Sequence, residues 1–240
     1  MRNWLLASPS LDDLIRLLRA WRFWTAGALL GGLLGAAVYF AFPPAYRAGA
    51  TVVVDFNMEQ AWPDNPDSQL FYYLDRESRK LVEVAESDPV LARVSAQSGI
   101  SVLELRSGKL ELSQPQDGGW HFNATDAQAG VATKLAAAWA EAFTAQVRQD
   151  IQVEVTLDAT RKALVANPGD VKLQAAVADL EAKSQGITPE LQISLTQDKD
   201  LPVVRSTGRG SYVLAGAFIC LSLIALWILF VPARSQPTGA

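Results

Sequence analysis

The chain has 240 residues, half of them hydrophobic, a formal net charge of −4 and one cysteine. One cysteine excludes a disulfide framework within the chain, and the acidic balance argues against a nucleic-acid or anionic-lipid surface on the main domain. The charge is unevenly placed: the segment before Pro43 carries +2, the tail after Gly210 carries +1, and residues 43–210 carry −7.

Residues 1–22 read as a cytoplasmic amphipathic segment. In "SPSLDDLIRLLRAW" Ser10 stands at an N-cap position, with Asp12 and Asp13 in the first turn and Leu11, Leu14, Ile15, Leu18 and Trp21 at helical spacing. Residues 23–42 carry no charge. At ~1.5 Å per residue they reach about 30 Å, the thickness of a bilayer core, and they outrun the apolar core of a signal peptide. They predict a first transmembrane helix, with Trp21, Trp24, Tyr39, Phe40 and Phe42 at its ends. Gly27, Gly31 and Gly35 recur every four residues. That spacing lets helix backbones approach closely, so these glycines are candidates for oligomerisation or for pairing with a second span.

Pro43 and Pro44 end the helix, because proline lacks an N–H and restricts the residue before it. From Tyr46 apolar and polar residues alternate through Phe56, which predicts a half-buried strand. Pro43, Pro44 and Tyr46 therefore form the junction from membrane to sheet, with no flexible linker between.

"NMEQAWPDNPDSQ" is loop-like, and Asp64, Asp67 and Asp75 form only a loose acidic group. Leu70, Leu74, Leu81 and Val84 mark a helix to Ala85. "SDPVLARVSAQSG" reads as a short helix with Asp88 as cap, Pro89 in the first turn and Gly99 past the end. Ser101 and Glu104 have capping-box spacing. "KLELSQP" and "WHFNAT" flank "QDGG" as a β-hairpin. His121, the single histidine, falls in that hairpin and reads as a half-exposed sheet residue.

Asp126 is expected to cap a long helix near 126–166, on which Leu135, Trp139, Phe143 and Val147 step by four as a packing face. "IQVEVTL" also alternates like a strand; the step from Val147 to Ile151 to Val155 favours helix, and both readings stay open for 151–157. "NPGD" is a turn and cap, a return helix runs to Gly186, and Leu191, Ile193 and Leu195 alternate in a last strand. Residues 211–231 predict a second transmembrane helix containing Cys220, followed by a cytoplasmic tail, 232–240.

Arg2, Arg16, Arg19 and Arg22 precede the first span, which places the N-terminus inside and, with two spans, the C-terminus as well. Arg205 and Arg209 run against that rule at the second span. The fold class expected is a membrane protein of α+β type: two transmembrane helices enclose an extracytoplasmic α/β base, residues 43–210, with a projecting helical hairpin. No residue is assigned a catalytic, cofactor or metal role. There is no His/Cys cluster of metal spacing and no phosphate loop ending in Gly-Lys-Ser/Thr.

The first span, "FPPAYRAGATVVV", the "SDPVLARV…SGI" helix, "LELSQP…WHFNATDAQAGVATKLAAAWAEAF" and the closing span, in that order, resemble the Wzz-type chain-length determinants, or polysaccharide co-polymerases. The resemblance implies a protein of the bacterial inner (plasma) membrane with a periplasmic or extracellular domain. It implies homo-oligomers that set the length of O-antigen, capsule or exopolysaccharide chains without catalysis, and a Wzy-type polymerase as partner. Of that family's proline-rich run before the second span, Pro202 remains. The other reading is a membrane-anchored scaffold or sensor that binds an envelope protein through its helical hairpin.

Overall fold

The structure, a computed structural model, describes residues 15, 19–57, 70–114, 119–196 and 203–230. Most of the expected amphipathic lead-in, Asp64 and Asp67, the turn of the predicted β-hairpin, Pro202 and the tail lie outside them. The chain divides into two units, Met1–Pro44 with Arg205–Ala240, and Ala45–Val204.

In the first unit, α1 (Trp21–Ala41) and α6 (Arg209–Phe230) are both long and apolar enough to cross a membrane. The glycine face of α1, Gly27, Gly31 and Gly35, is buried together with Tyr39. At the end of α1 the Phe42 N–H still donates to Val38 O at 2.8 Å. The two prolines that follow cannot donate, and the helix stops.

In the second unit, β1 (Tyr46–Asp55) is the central strand. It pairs antiparallel with β3 (Gly119–Asp126), which pairs antiparallel with β2 (Leu110–Ser113). On its other side β1 pairs antiparallel with β4 (Gln192–Leu195), so the order is β2-β3-β1-β4; β5 (Val203–Arg205) also pairs with β1. The register puts Ala48 opposite Ala124, Ala50 opposite Phe122 and Val52 opposite Trp120. These all point to one face and are buried, while Arg47, Gly49, Thr51, His121 and Asn123 share the polar face. His121 is half-buried, with Nδ1 2.9 Å from Thr51 Oγ1.

The first half of α4 (Ala129–Ala166) lies on the covered face, and α2 (Leu70–Ala85) and α3 (Asp88–Ser98) pack against α4 and complete the core. Phe122 is enclosed by Trp139, 4.8 Å away edge-on, and Phe143 at 4.9 Å; Trp120 stacks on Phe143 at 5.9 Å. The Trp139 Nε1–H donates to Ala85 O at 2.9 Å, so its polar atom is satisfied within the core. Alanines on β1 and β3 leave room for these rings, and large residues on the helix meet small ones on the sheet.

Segment 151–157 is helix: Asp150, Val153, Glu154 and Leu157 turn inward at three- and four-residue steps while Val155 is exposed. α5 (Val171–Lys183) returns antiparallel to α4: Arg161 pairs with Glu181 at 2.7 Å, and Glu154 accepts from Ser184 Oγ and from Gly186 N–H at 2.7 Å. Asp170 caps α5 by accepting from Lys172 N–H at 2.8 Å.

Three boundaries differ from expectation. The long helix is capped at Gln128, not Asp126. Asp126 is the last paired residue of β3; its Oδ2 accepts from Lys109 Nζ at 2.7 Å and its Oδ1 from Gln128 N–H at 3.0 Å. The cap of α3 is Ser87 rather than Asp88, with its hydroxyl turned back to Val84 O at 2.7 Å. The return helix ends at Lys183, and Gly186 lies beyond it in a left-handed turn at φ 64°.

Two carboxylates in this unit carry opposite pH signatures. Lys109 beside Asp126, then the Gln128 N–H, hold the Asp126 pKa below its usual value. Asp150 is 6 % exposed, with Oδ1 accepting from Gln146 Nε2 at 2.8 Å and Oδ2 unpartnered, and burial raises its pKa. The Asp126 contribution is therefore present above its unfolded pKa, about 3.9, and is lost as pH falls through the lower folded value. The buried Asp150 favours the fold when protonated, and that contribution is lost as pH rises through its raised folded value. In full-length protein in detergent, Asp126→Asn is expected to lower the unfolding temperature at pH 7, with the difference closing in acid. Asp150→Asn is expected to gain about 1 kcal/mol at pH 7 and nothing in acid. Parallel pH profiles for the two variants would contradict this assignment.

Candidate functional site: a glycine-packed helix pair and a helical hairpin

Each candidate residue from the sequence has a defined place. In the helix pair, Gly31 and Gly35 are where the backbones of α1 and α6 come together. A Cβ on Gly31 would lie 2.8 Å from both Cys220 Cβ and the Gly216 carbonyl carbon. A Cβ on Gly35 would lie 2.8 Å from the Tyr212 carbonyl carbon and 3.2 Å from Val213 Cα. On α6, a Cβ on Gly216 would lie 3.0 Å from Gly35 Cα, so the approach is closed from both sides. Gly27 faces Ile224. Of the two pairings the glycine spacing allowed, the one within the chain is formed here.

At the end of this pair, Tyr39 packs edge-on against Tyr212 at 5.4 Å and against Phe40 at 5.7 Å. The Arg205 guanidinium carbon sits 5.6 Å from the Tyr39 ring centre, and that of Arg209 5.7 Å from Tyr39 and from Phe40. Arg205 Nη1 also donates to Pro44 O at 3.2 Å, so the second proline of the junction is a hydrogen-bond acceptor as well as a helix stop. The sequence pointed to these arginines only as a departure from charge bias. Their aromatic partners lie far away in the chain, and spacing could not reveal them.

In the second unit, Tyr46 opens β1 opposite Asp126 and packs on the core. Leu135, Trp139, Phe143 and Val147 are all buried in the core that α4 forms with the sheet. They anchor the first half of the long helix; they are not a surface. Past Leu157 the helix has no buried residue, and neither has α5. Val165 and Val171, either side of the turn, are 83 % and 73 % exposed.

The sequence reading missed Glu77. It is 4 % exposed and accepts from Lys80 Nζ at 2.9 Å, Arg76 Nε at 3.3 Å and Thr188 Oγ1 at 3.1 Å. Tyr73 OH lies 2.7 Å from Thr188 Oγ1, and Lys80 Nζ also donates to Gly186 O. The Tyr73 pKa is raised, first by burial. This cluster ties the chain leaving α5 to α2. The signal was in the sequence: Glu77 falls at helical spacing between Leu74 and Leu81, a charge on the apolar face.

A small cavity of about 310 Å³ is lined by Leu91, Leu105, Leu110 and Trp139 together with Glu86 and Arg106. Arg106 Nη2 is held by Asp88 Oδ1 at 2.7 Å. Among the described residues, no group of three or more His, Cys, Asp or Glu is placed to hold a metal ion. Asp75, from the loose acidic group, pairs with Arg79 at 2.9 Å. No family model matches the chain, and no curated protein sequence matches it.

The glycine contacts lead to a paired test. Gly31→Ala drives a Cβ into Cys220 and Gly216, whereas Gly32→Ala meets only a Val213 methyl at 3.3 Å. Cys220, the single cysteine, reports the outcome. Maleimide labelling of Cys220 in detergent is expected to speed up in Gly31→Ala and to stay at the wild-type rate in Gly32→Ala. Equal rates in all three proteins would show that the helices do not rely on this approach.

Proposed function

We propose that the chain is a two-pass protein of the bacterial plasma membrane that regulates the length of a surface polysaccharide as a non-catalytic, oligomeric co-polymerase. In this reading α1 and α6 cross the bilayer, residues 1–22 and 232–240 are cytoplasmic, and residues 43–210 form the periplasmic or extracellular domain. Its partners are further copies of itself, the lipid bilayer and a Wzy-type polymerase or another membrane protein of polysaccharide assembly. It needs no cofactor. O-antigen, capsule and exopolysaccharide all fit the substrate class.

The observation that carries the reading is the order of elements. One membrane-length helix, an antiparallel sheet, a 38-residue helix with an antiparallel return, and a second membrane-length helix follow one another. This is the order the resemblance to chain-length determinants implies. A helix of that length spans about 57 Å, and only its first half is needed to cover the sheet. A protein that acts by geometry has a use for the remainder.

A second reading has its own support. Val165 and Val171 leave two large apolar side chains exposed beside the turn of the hairpin, as a scaffold that binds an envelope protein there would require.

Two measurements test the proposal. An alkaline phosphatase fusion at Gly169, in the turn between α4 and α5, is expected to be active, and one at the C-terminus inactive. The reverse pattern overturns the topology. Deletion of the gene is expected to replace a preferred polysaccharide length by a broad distribution on a gel, with polymer still made. Complete loss of polymer would point instead to an enzyme or transporter. An unchanged length distribution, together with loss of an envelope complex on Val165→Asp, would favour the scaffold.

A further inference from the structure

Asp150 stands where the core of the domain ends and the helical hairpin begins. Val147, Asp150, Glu154 and Leu157 follow one another at steps of three and four along one face of α4. Val147 and Leu157 are buried, and so is Asp150, at 6 % exposure. Its Oδ1 accepts from Gln146 Nε2. Its Oδ2 is the one buried side-chain polar atom among the described residues that has no hydrogen-bond partner. An apolar seam thus holds a carboxyl group that is only half satisfied, and such a group calls for a reason.

One turn further on, Glu154 fastens the end of the return helix. Its Oε1 accepts from Ser184 Oγ and, at 2.7 Å, from the Gly186 N–H, which also lies 3.1 Å from Ser184 Oγ. Ser184 is the residue at which α5 ends. Two carboxyl groups one turn apart on one helix face repel when both are charged.

Among the described residues, few charges oppose this pair. From α3, Arg93 acts on Asp150, but its Nη2 donates to Gln149 Oε1 at 3.1 Å. From α2, Glu77 and Lys80 hold each other and reach the chain at Thr188 and Gly186. On α5, Glu181 pairs with Arg161, and Lys183 with Asp179. Burial, and then the neighbouring Glu154, raise the Asp150 pKa above its usual value, against Gln146 and Arg93. The fold therefore favours the neutral acid, and the anion forms as pH rises through that raised value.

We propose that Asp150 is a proton-operated switch at the base of the hairpin: while it is protonated Glu154 holds Ser184 and Gly186, and when it ionises the two carboxylates repel and Glu154 gives up that hold. Asp150 is enclosed and cannot turn to water, whereas Glu154 is half-buried and its bond to Gly186 lies at the surface, so Glu154 is the one that moves. The end of α5 is thereby held more firmly in acid than at neutral pH.

Hydrogen exchange of the full-length protein in detergent tests this, read by mass spectrometry from about pH 4 to about pH 8 and corrected for the intrinsic rate. Protection of the Ser184 and Gly186 amides is expected to fall about fivefold as pH rises through the folded pKa of Asp150, while the amides of β1 keep theirs. In Asp150→Asn, protection should stay at its acid level throughout. Glu154→Gln keeps the acceptor and removes the charge, and should flatten the profile as well. Arg93→Gln removes the cation that favours the anion, and should move the midpoint to higher pH.

A wild-type profile without slope overturns the proposal. A slope that survives in Asp150→Asn belongs to another group and overturns it too. A slope that survives in Glu154→Gln shows that Asp150 acts without its neighbour, which removes the coupling. Equal loss of protection in β1 marks a change in global stability instead of a switch at the hairpin.

Discussion

Phe122 opposite Ala50 is the constraint on which the folded domain depends. The antiparallel register of β1 and β3 fixes that pair, and it places Leu112 of β2 on the other flank of the ring. Small residues at Ala48, Ala50 and Ala124 then leave a hollow on one face of the sheet, and Phe122 and Trp120 rise beside it. Trp139 and Phe143 of α4 fill that space. A one-residue slip of β1 would turn Thr51 and Gly49 inward and expose the alanines and valines. The position of the long helix is thus set by cross-strand pairing, and burial of the aromatic cluster, worth about 1.5–3 kcal/mol per large side chain, makes the register strongly preferred.

The helix pair obeys different physics. In the proposed membrane reading there is no hydrophobic gain to drive contact between α1 and α6, so close packing must supply the attraction. Gly31, Gly35 and Gly216 remove the side chains that would hold the backbones apart. The cost is that one face of α1 is used up inside the chain. The apolar side chains the pair leaves exposed lie on other faces, at Leu29, Leu33 and Phe40 on α1 and at Phe218 and Leu226 on α6.

Much of this was legible in the sequence because one physical pattern dominated each segment. The alternation from Tyr46 and the four-residue step from Leu135 each had a single solution. "IQVEVTL" had two, and the helix prevails: Val153 and Leu157 turn inward one helical turn apart while Val155, which a strand would bury with them, is exposed. The caps expected at Asp126 and Asp88 fall instead at Gln128 and Ser87, since a capping side chain is free to cap only if nothing stronger claims it. Lys109 claims Asp126, and Arg106 claims Asp88. The Tyr39–Arg209 stack and the Thr188–Glu77 bond join residues far apart in the chain, and a linear pattern holds no record of such pairs.

Glu77 shows how the two halves of α4 are kept distinct. The first half is held by apolar burial, from Ala132 to Val147. The second is held by polar contacts: Arg161 with Glu181, and Glu154 with Ser184 and Gly186. Glu77 and Lys80 grip the chain where these regimes meet, through Thr188 and Gly186. Exposed ion pairs such as Arg161–Glu181 contribute only about 0–1 kcal/mol each, so the outer hairpin is the weaker part of the domain. A buried carboxylate with three donors is far more costly to disturb. The exposed apolar side chains Val165 and Val171 thus sit on the part of the chain held only by these weak pairs, while the return strand β4 is tied to β1 and the aromatic core through the sheet.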